Sequence, residues 1–267
     1  CILSPSRRAC GAAGNRPPAE SWAAVDDVFL LNSTSGTTGM PKCVMHDQAR
    51  WIEFHALAAK AGGFTSDDVF MSVIPAPFGV GLWTAHCTPT LLGVPCVVTS
   101  EFTPEGMIHA IERYGVSVLA AVSTQFVMML NSPALAKHDL GSLRALFTGG
   151  EAVPYERAAE FEERTGATVL QFYGSNETGA LSNTALGDPR EKRLRTAGRL
   201  IPSMNVRLVD DAGNDVTSSG RGQPACKGPV LSRGYWNDDE ANAGLYTADG
   251  WMLTGDVATL DDEAVSY

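Results

Sequence analysis

The stretch from residue 47 to residue 172 alternates short apolar runs with longer amphipathic segments, and this alternation limits the possible folds more than any other feature. Five apolar runs have the length of buried strands, namely 67–75, 94–99, 116–122, 143–147 and 167–172. Four segments have the pattern of helices, namely 47–61, 104–114, 125–130 and 154–165. Strands that alternate with helices of about 10–15 residues predict a parallel sheet with flanking helices, so we assign the chain to the α/β class.

The pattern changes along the chain and predicts three parts. Residues 1–24 have little periodicity and many Arg, Gly, Ala and Pro residues, which indicates a linker or a disordered segment. Residues 25–185 carry the alternation and begin with a strand at 28–32. Residues 186–267 contain short strands separated by turn residues and therefore predict a small antiparallel β subdomain. These short strands are expected at 204–209, 225–231, 251–254 and 257–260.

Charge and cysteine content narrow the range of functions. The formal net charge of −10 argues against a surface that binds nucleic acids or anionic membranes, although a local cluster of donors can still hold a nucleotide. Six scattered cysteines, without a Cys-x-x-Cys pair, favour free thiols in a reducing cytoplasm. No apolar run approaches the roughly 20 residues that a membrane helix needs.

The segment 30–42 runs from an apolar strand into hydroxyl residues and glycines and ends on a lysine. Glycines can take positive φ, so successive backbone N–H groups can point at one anion, and hydroxyls and an ammonium group add donors. The predicted phosphate-binding residues are Ser33, Thr34, Ser35, Gly36, Thr37, Thr38, Gly39 and Lys42. This is not a Walker loop, because Pro41 stands where Gly-Lys-Ser/Thr would begin. The alternative is an ordinary flexible turn.

In its residue order this loop resembles the phosphate loop of the adenylate-forming (AMP-binding) superfamily. Cys43 departs from the glycine that the family has after its lysine. Four further segments, at 148–154, 171–179, 228–237 and 251–256, resemble the family's motifs in order and spacing, so the resemblance covers about residues 25–267. It favours the acyl-CoA synthetase or carboxylic acid–CoA ligase branch, and it implies the central part of the family's large N-terminal domain followed by a barrel-like β subdomain.

The segment 171–179 resembles the family's Tyr-Gly-x-Thr-Glu motif. The resemblance implies that Tyr173 packs on adenine beside Gly174, and that Glu177 coordinates magnesium. Asn176 replaces the usual threonine, and its amide can still donate a hydrogen bond to a phosphate oxygen. A carboxylate is a natural ligand for the hard cation that a phosphate leaving group requires.

Two further motifs belong to the implied nucleotide site. The segment 148–154 resembles the family's glycine-rich loop along the adenine and acyl sites, which implies nucleotide-binding roles for Gly150 and Glu151. The segment 251–256 resembles the motif whose aspartate accepts hydrogen bonds from both ribose hydroxyls, so Asp256 is the expected ribose ligand.

The acyl site is less distinct in the sequence. Amino-acid-activating members carry an aspartate just after a phenylalanine, where Gly79 follows Phe78 in this chain. A buried ammonium group without a partner would cost several kcal/mol, so we expect a carboxylic acid that lacks an α-amino group. The expected pocket residues are Phe78, Gly79, Trp83, Phe126, Val127 and Gly149.

The resemblance implies a two-step reaction with ATP, Mg2+ and coenzyme A. A carboxylate attacks the α-phosphate of ATP to give an acyl-adenylate and pyrophosphate, and CoA then accepts the acyl group. Lys42 and Glu177 are the expected catalytic residues, because preorganised charge stabilises the departing pyrophosphate. The expected partners are a small carboxylic acid and CoA, with no nucleic acid and no membrane span.

Family members also have a segment before the phosphate loop and a mobile domain that carries a hinge motif and a catalytic lysine. The sequence contains neither the hinge nor that lysine, so we expect weak nucleotide binding and slow or no turnover. An open sheet edge at the first strand would favour association with another chain. Two alternatives stay open: a non-catalytic AMP- or ATP-binding fragment or partner subunit, and activation of an aryl or amino acid for a carrier protein.

Overall fold

The structure is a computed structural model that describes residues 23–34, 41–75, 78–99, 101–260 and 265–266. Nearly all of the predicted N-terminal linker therefore lies outside the described residues. The first element is an antiparallel hairpin of β1 (Val28–Ser33) and β2 (Cys43–Asp47). The predicted first strand is confirmed, and in the described part of the chain it pairs with β2 rather than with the main sheet.

The first helix, α1 (Gln48–Gly62), follows β2 directly and confirms the helix predicted at 47–61. Asp47 caps its first turn, because its carboxylate accepts a hydrogen bond from the Arg50 amide at 3.0 Å. Gly63 ends the helix in the left-handed conformation, with φ of 54°. The chain thus turns from the hairpin into the helix without a connecting loop.

The predicted parallel sheet is confirmed for five strands. These are β3 (Phe70–Ser72), β4 (Cys96–Val97), β5 (Val118–Ala120), β6 (Ala145–Gly149) and β7 (Thr168–Ser175). Their lateral order is β4-β3-β5-β6-β7, and all four pairings are parallel. Helices lie in the connections: α2 (Gly79–Leu82), α3 (Thr88–Leu92), α4 (Pro104–Tyr114), α5 (Ser123–Asn131) and α6 (Tyr155–Thr165).

Two antiparallel strands, which the sequence analysis did not predict, extend this sheet. β8 (Gly179–Asn183) pairs with β7, and β9 (Arg199–Leu200) pairs with β8. A parallel neighbour needs a crossover of a dozen or more residues, whereas β8 begins a few residues after β7 ends. The short helix α7 (Arg190–Arg195) lies between β8 and β9. Because β9 joins the larger sheet, the predicted division at residue 185 stays a prediction.

The main core lies between the sheet and the helices α4, α5 and α6. The amphipathic α4 supplies Met107, Ile108 and Ile111 to this core, and each is at most 1% exposed. Leu146 of β6 and Phe161 of α6 face them and are fully buried. Burial of such side chains stabilises a fold by about 1.5–3 kcal/mol each, so this layer holds the strand ends in fixed positions.

The last part of the chain forms the small antiparallel unit that the sequence predicts. It contains β10 (Asn205–Val209), β11 (Arg221–Lys227), β12 (Met252–Leu253), β13 (Ala258–Leu260) and β14 (Val265–Ser266), and the short helix α8 (Asp239–Ala243). The strand expected at 225–231 is shifted and ends at Lys227, because Gly228 and Pro229 follow it. A second cluster of buried residues, including Val230, Met252 and Tyr173, joins this unit to the main sheet.

The glycine-rich segment after β3 is helical in the structure, which the sequence did not indicate. After α2 the chain continues through a π-helical turn (Trp83–Cys87) into α3. A side chain at Gly81 would place its Cβ 2.3 Å from the Pro75 carbonyl oxygen, so only glycine allows this packing. In the portion of the chain that the structure describes, no helix has both the length and the apolar character that crossing a membrane requires.

The buried carboxylate of Asp68 connects the segments that lead into β3, β5 and β6, at the amino ends of these strands. Asp68 is 3% exposed and accepts hydrogen bonds from Arg144 Nε at 2.8 Å and Ser117 Oγ at 2.6 Å. Arg144 also donates to the Gly62 carbonyl at 2.8 Å, which fixes the end of α1. Burial raises the pKa of Asp68, but the hydrogen bonds from Arg144 and Ser117 outweigh it and hold the pKa below its ordinary value of 3.8.

We expect Asp68→Asn to lower the free energy of unfolding by about 3 kcal/mol, because it leaves the Arg144 guanidinium without its anion. The pKa in the folded state is depressed, so this contribution is complete above the unfolded pKa and is lost as pH falls through the folded pKa. Urea unfolding at pH 7 and at pH 3 measures both effects. Glu163→Gln is the control, since its exposed pair with Arg190 should contribute under about 1 kcal/mol. Equal losses in both variants would contradict the prediction.

Candidate active site

The carboxyl ends of the parallel strands open into a cleft of about 1110 Å3. Residues that follow β3, β6 and β7 line it, together with the hairpin, α1 and the β subdomain. Open α/β sheets bind ligands at this edge, because the loops and helix starts there are free of the ladder. The cleft is large enough for a nucleotide and a second small molecule.

The two ends of the predicted phosphate loop meet at the mouth of this cleft. The Thr34 amide donates to the Lys42 carbonyl at 2.9 Å, and the Lys42 amide donates to Thr34 Oγ1 at 3.3 Å. Ser33, Thr34 and Lys42 line the cleft. The other predicted loop residues, Ser35, Gly36, Thr37, Thr38 and Gly39, lie outside the described residues.

Tyr235 contacts both Lys42 and Glu177, and the sequence did not single it out as a site residue. The Lys42 ammonium lies 5.0 Å from the centre of the Tyr235 ring. The Tyr235 hydroxyl donates to Glu177 Oε1 at 2.9 Å, and burial together with the Glu177 charge raises the pKa of Tyr235, so it stays protonated. A half-buried carboxylate oriented in this way, at the edge of a cleft, is a suitable oxygen ligand for Mg2+.

Arg50 holds the turn that carries Glu177, and sequence reasoning missed it. This side chain is fully buried, and its Nη1 and Nη2 atoms donate to the Asn176 carbonyl at 3.0 and 3.1 Å. Its Nε atom donates to the Val230 carbonyl at 2.9 Å. Burial lowers the pKa of Arg50 to about 10, while Asp47 and Glu177 raise it, so the group remains charged at neutral pH.

His46 completes this buried network as a neutral base. Its Nδ1 atom lies 2.7 Å from Arg50 Nη1 and 3.1 Å from Trp51 Nε1, and both of these nitrogens are donors. Nδ1 therefore accepts, and the ring proton is on Nε2. Burial, aided by the Arg50 charge, lowers the pKa of His46 to about 3. In the sequence, this network is indicated only by Arg50, a charged residue on the apolar side of α1.

Tyr173 and Asp256 are in contact, although they belong to different parts of the chain. The Tyr173 hydroxyl donates to Asp256 Oδ2 at 2.9 Å, and burial raises the pKa of this phenol. Asp256 is exposed and lines the cleft together with Thr254, which the sequence did not indicate. The Tyr173 side chain lies in the second buried cluster and not on the cleft wall, so in this structure it orients Asp256.

The glycine-rich turn after β6 contributes to the cleft through its middle residue. Gly150 lines the cleft with φ of 84°. Gly149 lies against β7, where an added Cβ would be 2.5 Å from the Phe172 carbonyl oxygen. The Glu151 carboxylate accepts a hydrogen bond from the Ser123 amide at 2.7 Å, so it holds the start of α5. Gly149 and Glu151 thus flank the cleft without lining it.

Some of the residues predicted for the acyl pocket line the cleft. Phe78, Gly79 and Trp83 line the cleft, as do Asn176 and Gly174. Additional apolar side chains line the same region: Phe54, Ala58, Val80, Phe147 and Phe172. The Trp83 ring centre lies 5.6 Å from that of Phe147. The wall is therefore more aromatic than the sequence indicated.

Phe126 and Val127 do not line the cleft, and this expectation is wrong. Phe126 is fully buried in the main core and packs edge-on against Phe161, with ring centres 5.6 Å apart. Val127 packs against the same core. Both residues lie on α5, which turns its apolar side chains towards α4 and α6.

Comparison with known proteins places the chain in a family. Residues 4–236 match the AMP-binding enzyme family. The chain is 32% identical over 258 residues to an indoleacetate–CoA ligase of Aromatoleum aromaticum, which covers 94% of this chain and 49% of the relative. It is 33% identical over 258 residues to a feruloyl-CoA synthase of an Amycolatopsis species, with 94% and 51% covered.

Solved structures agree with this assignment. ATP-bound MatB from Rhodopseudomonas palustris superimposes with a TM-score of 0.82 at 26% identity and covers 91% of this chain and 48% of that one. The amide bond synthetase McbA from Marinactinospora thermotolerans is 31% identical, with a TM-score of 0.78 and 89% and 48% covered. The chain thus spans about half the length of the relatives that it matches. It has the core fold of the adenylate-forming enzymes and belongs to the AMP-binding enzyme family.

Proposed function

We propose that this chain binds MgATP and a carboxylic acid in the cleft and forms the activating part of an acid–thiol ligase. The carboxylate oxygen bonds to the α-phosphorus, pyrophosphate leaves, and the resulting acyl-adenylate passes its acyl group to the thiol of coenzyme A with release of AMP. The observation that carries this proposal is the convergence of Lys42, Glu177 and Asp256 on one cleft with an aromatic wall.

We infer that different charged residues contact different parts of the nucleotide. In this proposal Lys42 neutralises the phosphates, and Asp256 accepts hydrogen bonds from the ribose hydroxyls. Mg2+, when bound at Glu177, supplies positive charge to the departing pyrophosphate. Such preorganised charges typically contribute about 100- to 1,000-fold in rate each.

Gly79 supports an acid without an α-amino group. A side chain there would place its Cβ 2.3 Å from Asn176 Oδ1, so the aspartate of amino-acid-activating enzymes does not fit unless Asn176 moves. The rings of Phe54, Trp83 and Phe147 favour an apolar or aromatic acyl group. The names of the indoleacetate and feruloyl ligases are consistent with this substrate class.

The described cysteines support a cytoplasmic location. Cys43, Cys87, Cys96 and Cys226 are free thiols, and burial raises the pKa of Cys87 and Cys96 to about 11. Two other functions are retained from the sequence: a non-catalytic AMP- or ATP-binding fragment or partner subunit, and activation of an acid for a carrier protein. Binding of ATP without exchange of pyrophosphate into ATP would favour the non-catalytic function, and exchange that depends on the added acid would favour activation.

We expect Lys42→Met to weaken ATP binding about 10- to 100-fold, because it removes a charge-assisted contact to phosphate. Glu177→Gln should instead reduce the gain in affinity that Mg2+ gives. Calorimetric titration with ATP, with and without Mg2+, measures both. Lys60→Met is the control, since Lys60 is exposed on α1 outside the cleft lining. Identical ATP affinity in the two lysine variants would contradict the assignment.

We expect the 267 residues alone to catalyse acid-dependent exchange of pyrophosphate into ATP slowly or not at all, because they span about half the length of the relatives. Aromatic and fatty acids should be bound in preference to amino acids. A panel of acids in the exchange assay, with calorimetry for binding, tests this. Robust exchange would refute the expectation of slow turnover, and preference for an amino acid would refute the substrate class.

Association with another chain is a separate part of the proposal. Val28, Phe29 and Leu31 of β1 are each 40–47% exposed, and in the described residues β1 pairs on one edge with β2. We expect a second copy to cover this surface, so the 28.3 kDa chain should elute as a dimer. Leu31→Lys should shift it to monomer, and Leu91→Lys, at an equally exposed site, should not. A monomer at high concentration would exclude this association.

A further inference from the structure

Three potential metal ligands meet on the outer surface, away from the cleft. His109 and Glu112 lie three residues apart on α4, so their side chains leave the same face of the helix. His138 directly follows a short 3-10 turn (Pro133–Lys137) and faces them. Their ligand atoms all lie within 4.8 Å of one another.

Within this cluster, His138 and Glu112 form a hydrogen-bonded pair and His109 lies beside them. His138 Nδ1 lies 2.6 Å from Glu112 Oε2, and the rings of His109 and His138 meet edge to face with centres 5.7 Å apart. Ligand atoms around one zinc ion lie roughly 3.3–3.5 Å apart, given bonds of about 2.0–2.2 Å. Zinc binding therefore requires His138 Nδ1 and Glu112 Oε2 to separate by about 0.7 Å and the exposed His109 side chain to rotate towards them.

The backbone that carries these ligands is firmly anchored. Ile108 and Ile111, which flank His109 on α4, are fully buried. Leu135 and Leu140, on either side of His138, are at most 8% exposed. The ligands therefore stand on well-packed segments, and little chain entropy is lost when an ion binds.

A second contact orients the carboxylate. The Asp139 amide donates to Glu112 Oε1 at 2.8 Å, which leaves Oε2 directed at His138. Outer hydrogen bonds of this kind fix the orientation of a metal ligand and raise metal affinity by about 10- to 100-fold. At the other end of α4, Ser132 Oγ donates to Glu105 Oε1 at 2.6 Å and holds the same two segments together.

We propose that His109, Glu112 and His138 form a binding site for a zinc-type transition metal ion. Two imidazoles and one carboxylate are a ligand set for Zn2+ rather than for Mg2+ or Ca2+, which prefer oxygen ligands alone. The ion takes the place of the proton between His138 and Glu112, which moves to the other ring nitrogen or to solvent. Water completes the coordination, and the ion ties α4 to the turn that precedes His138.

This site is separate from the proposed ligase chemistry. None of its three residues lines the cleft, so binding of zinc there neither requires nor replaces Mg2+ at Glu177. If zinc does not bind, the proposed ligase function is unaffected. If the ligase function is refuted, the zinc proposal is likewise unaffected.

Titration of the chelator-stripped chain with ZnCl2 tests the proposal, together with the visible absorption of the CoCl2 complex. We expect one equivalent of Zn2+ to bind and to raise the thermal unfolding temperature. His109→Ala, Glu112→Gln and His138→Ala should each weaken binding at least tenfold. His86→Ala is the control, since His86 is exposed on a different segment. Glu112→Gln keeps the shape of the side chain and so reports on ligation rather than folding.

The cobalt spectrum distinguishes this site from the cysteines of the chain. Ligation by His and Glu gives visible absorption without a thiolate charge-transfer band in the near ultraviolet. Absence of zinc binding, equal affinity in the three variants and the control, or a thiolate band at one equivalent would each overturn the proposal.

Discussion

The candidate site depends on one buried charge. Arg50 extends from α1 to the carbonyl groups of Asn176 and Val230, and in doing so it joins the helix, the β7–β8 turn and the β subdomain. Burying an unpaired guanidinium would be very costly, so these acceptors must stay in place while the protein is folded. The Ser232 amide holds the Glu177 carbonyl from the other side at 2.7 Å. The turn that presents Glu177 is thereby fixed at both of its central residues.

Two tyrosine hydroxyls orient the carboxylates that face the cleft. Tyr235 donates to Glu177, and Tyr173 donates to Asp256, so each carboxylate has one oxygen occupied by the protein. The raised pKa values keep both tyrosines as donors across the physiological range. Because Tyr173 lies on the main sheet and Asp256 in the β subdomain, correct docking of the two parts is a condition for the proposed nucleotide site.

The sequence was sufficient for the fold class, and it also pointed to several residues that line the cleft. Alternation of apolar and amphipathic segments indicated the five parallel strands, and the family motifs pointed to Lys42, Glu177 and Asp256, which the fold brings to one cleft. The sequence did not indicate β8 and β9, whose direction depends on the short turn after β7. It also did not show that Phe126 belongs to the buried core rather than to the wall of the cleft. An aromatic side chain on an amphipathic helix has the same sequence signal whether its neighbour is a ligand or another helix.

The backbone and the side chain of Asn176 are constrained by different neighbours. The backbone carbonyl of Asn176 is held by Arg50, while its side-chain oxygen lies where a Cβ at Gly79 would be. A larger residue at position 79 would therefore have to displace the flexible end of the Asn176 side chain rather than the turn that Arg50 holds in place. The absence of a side chain at Gly79 thus shapes the cleft beside Asn176, while the position of Glu177 depends on Arg50. A change at position 79 is expected to alter this part of the cleft more than it alters the turn that carries Glu177.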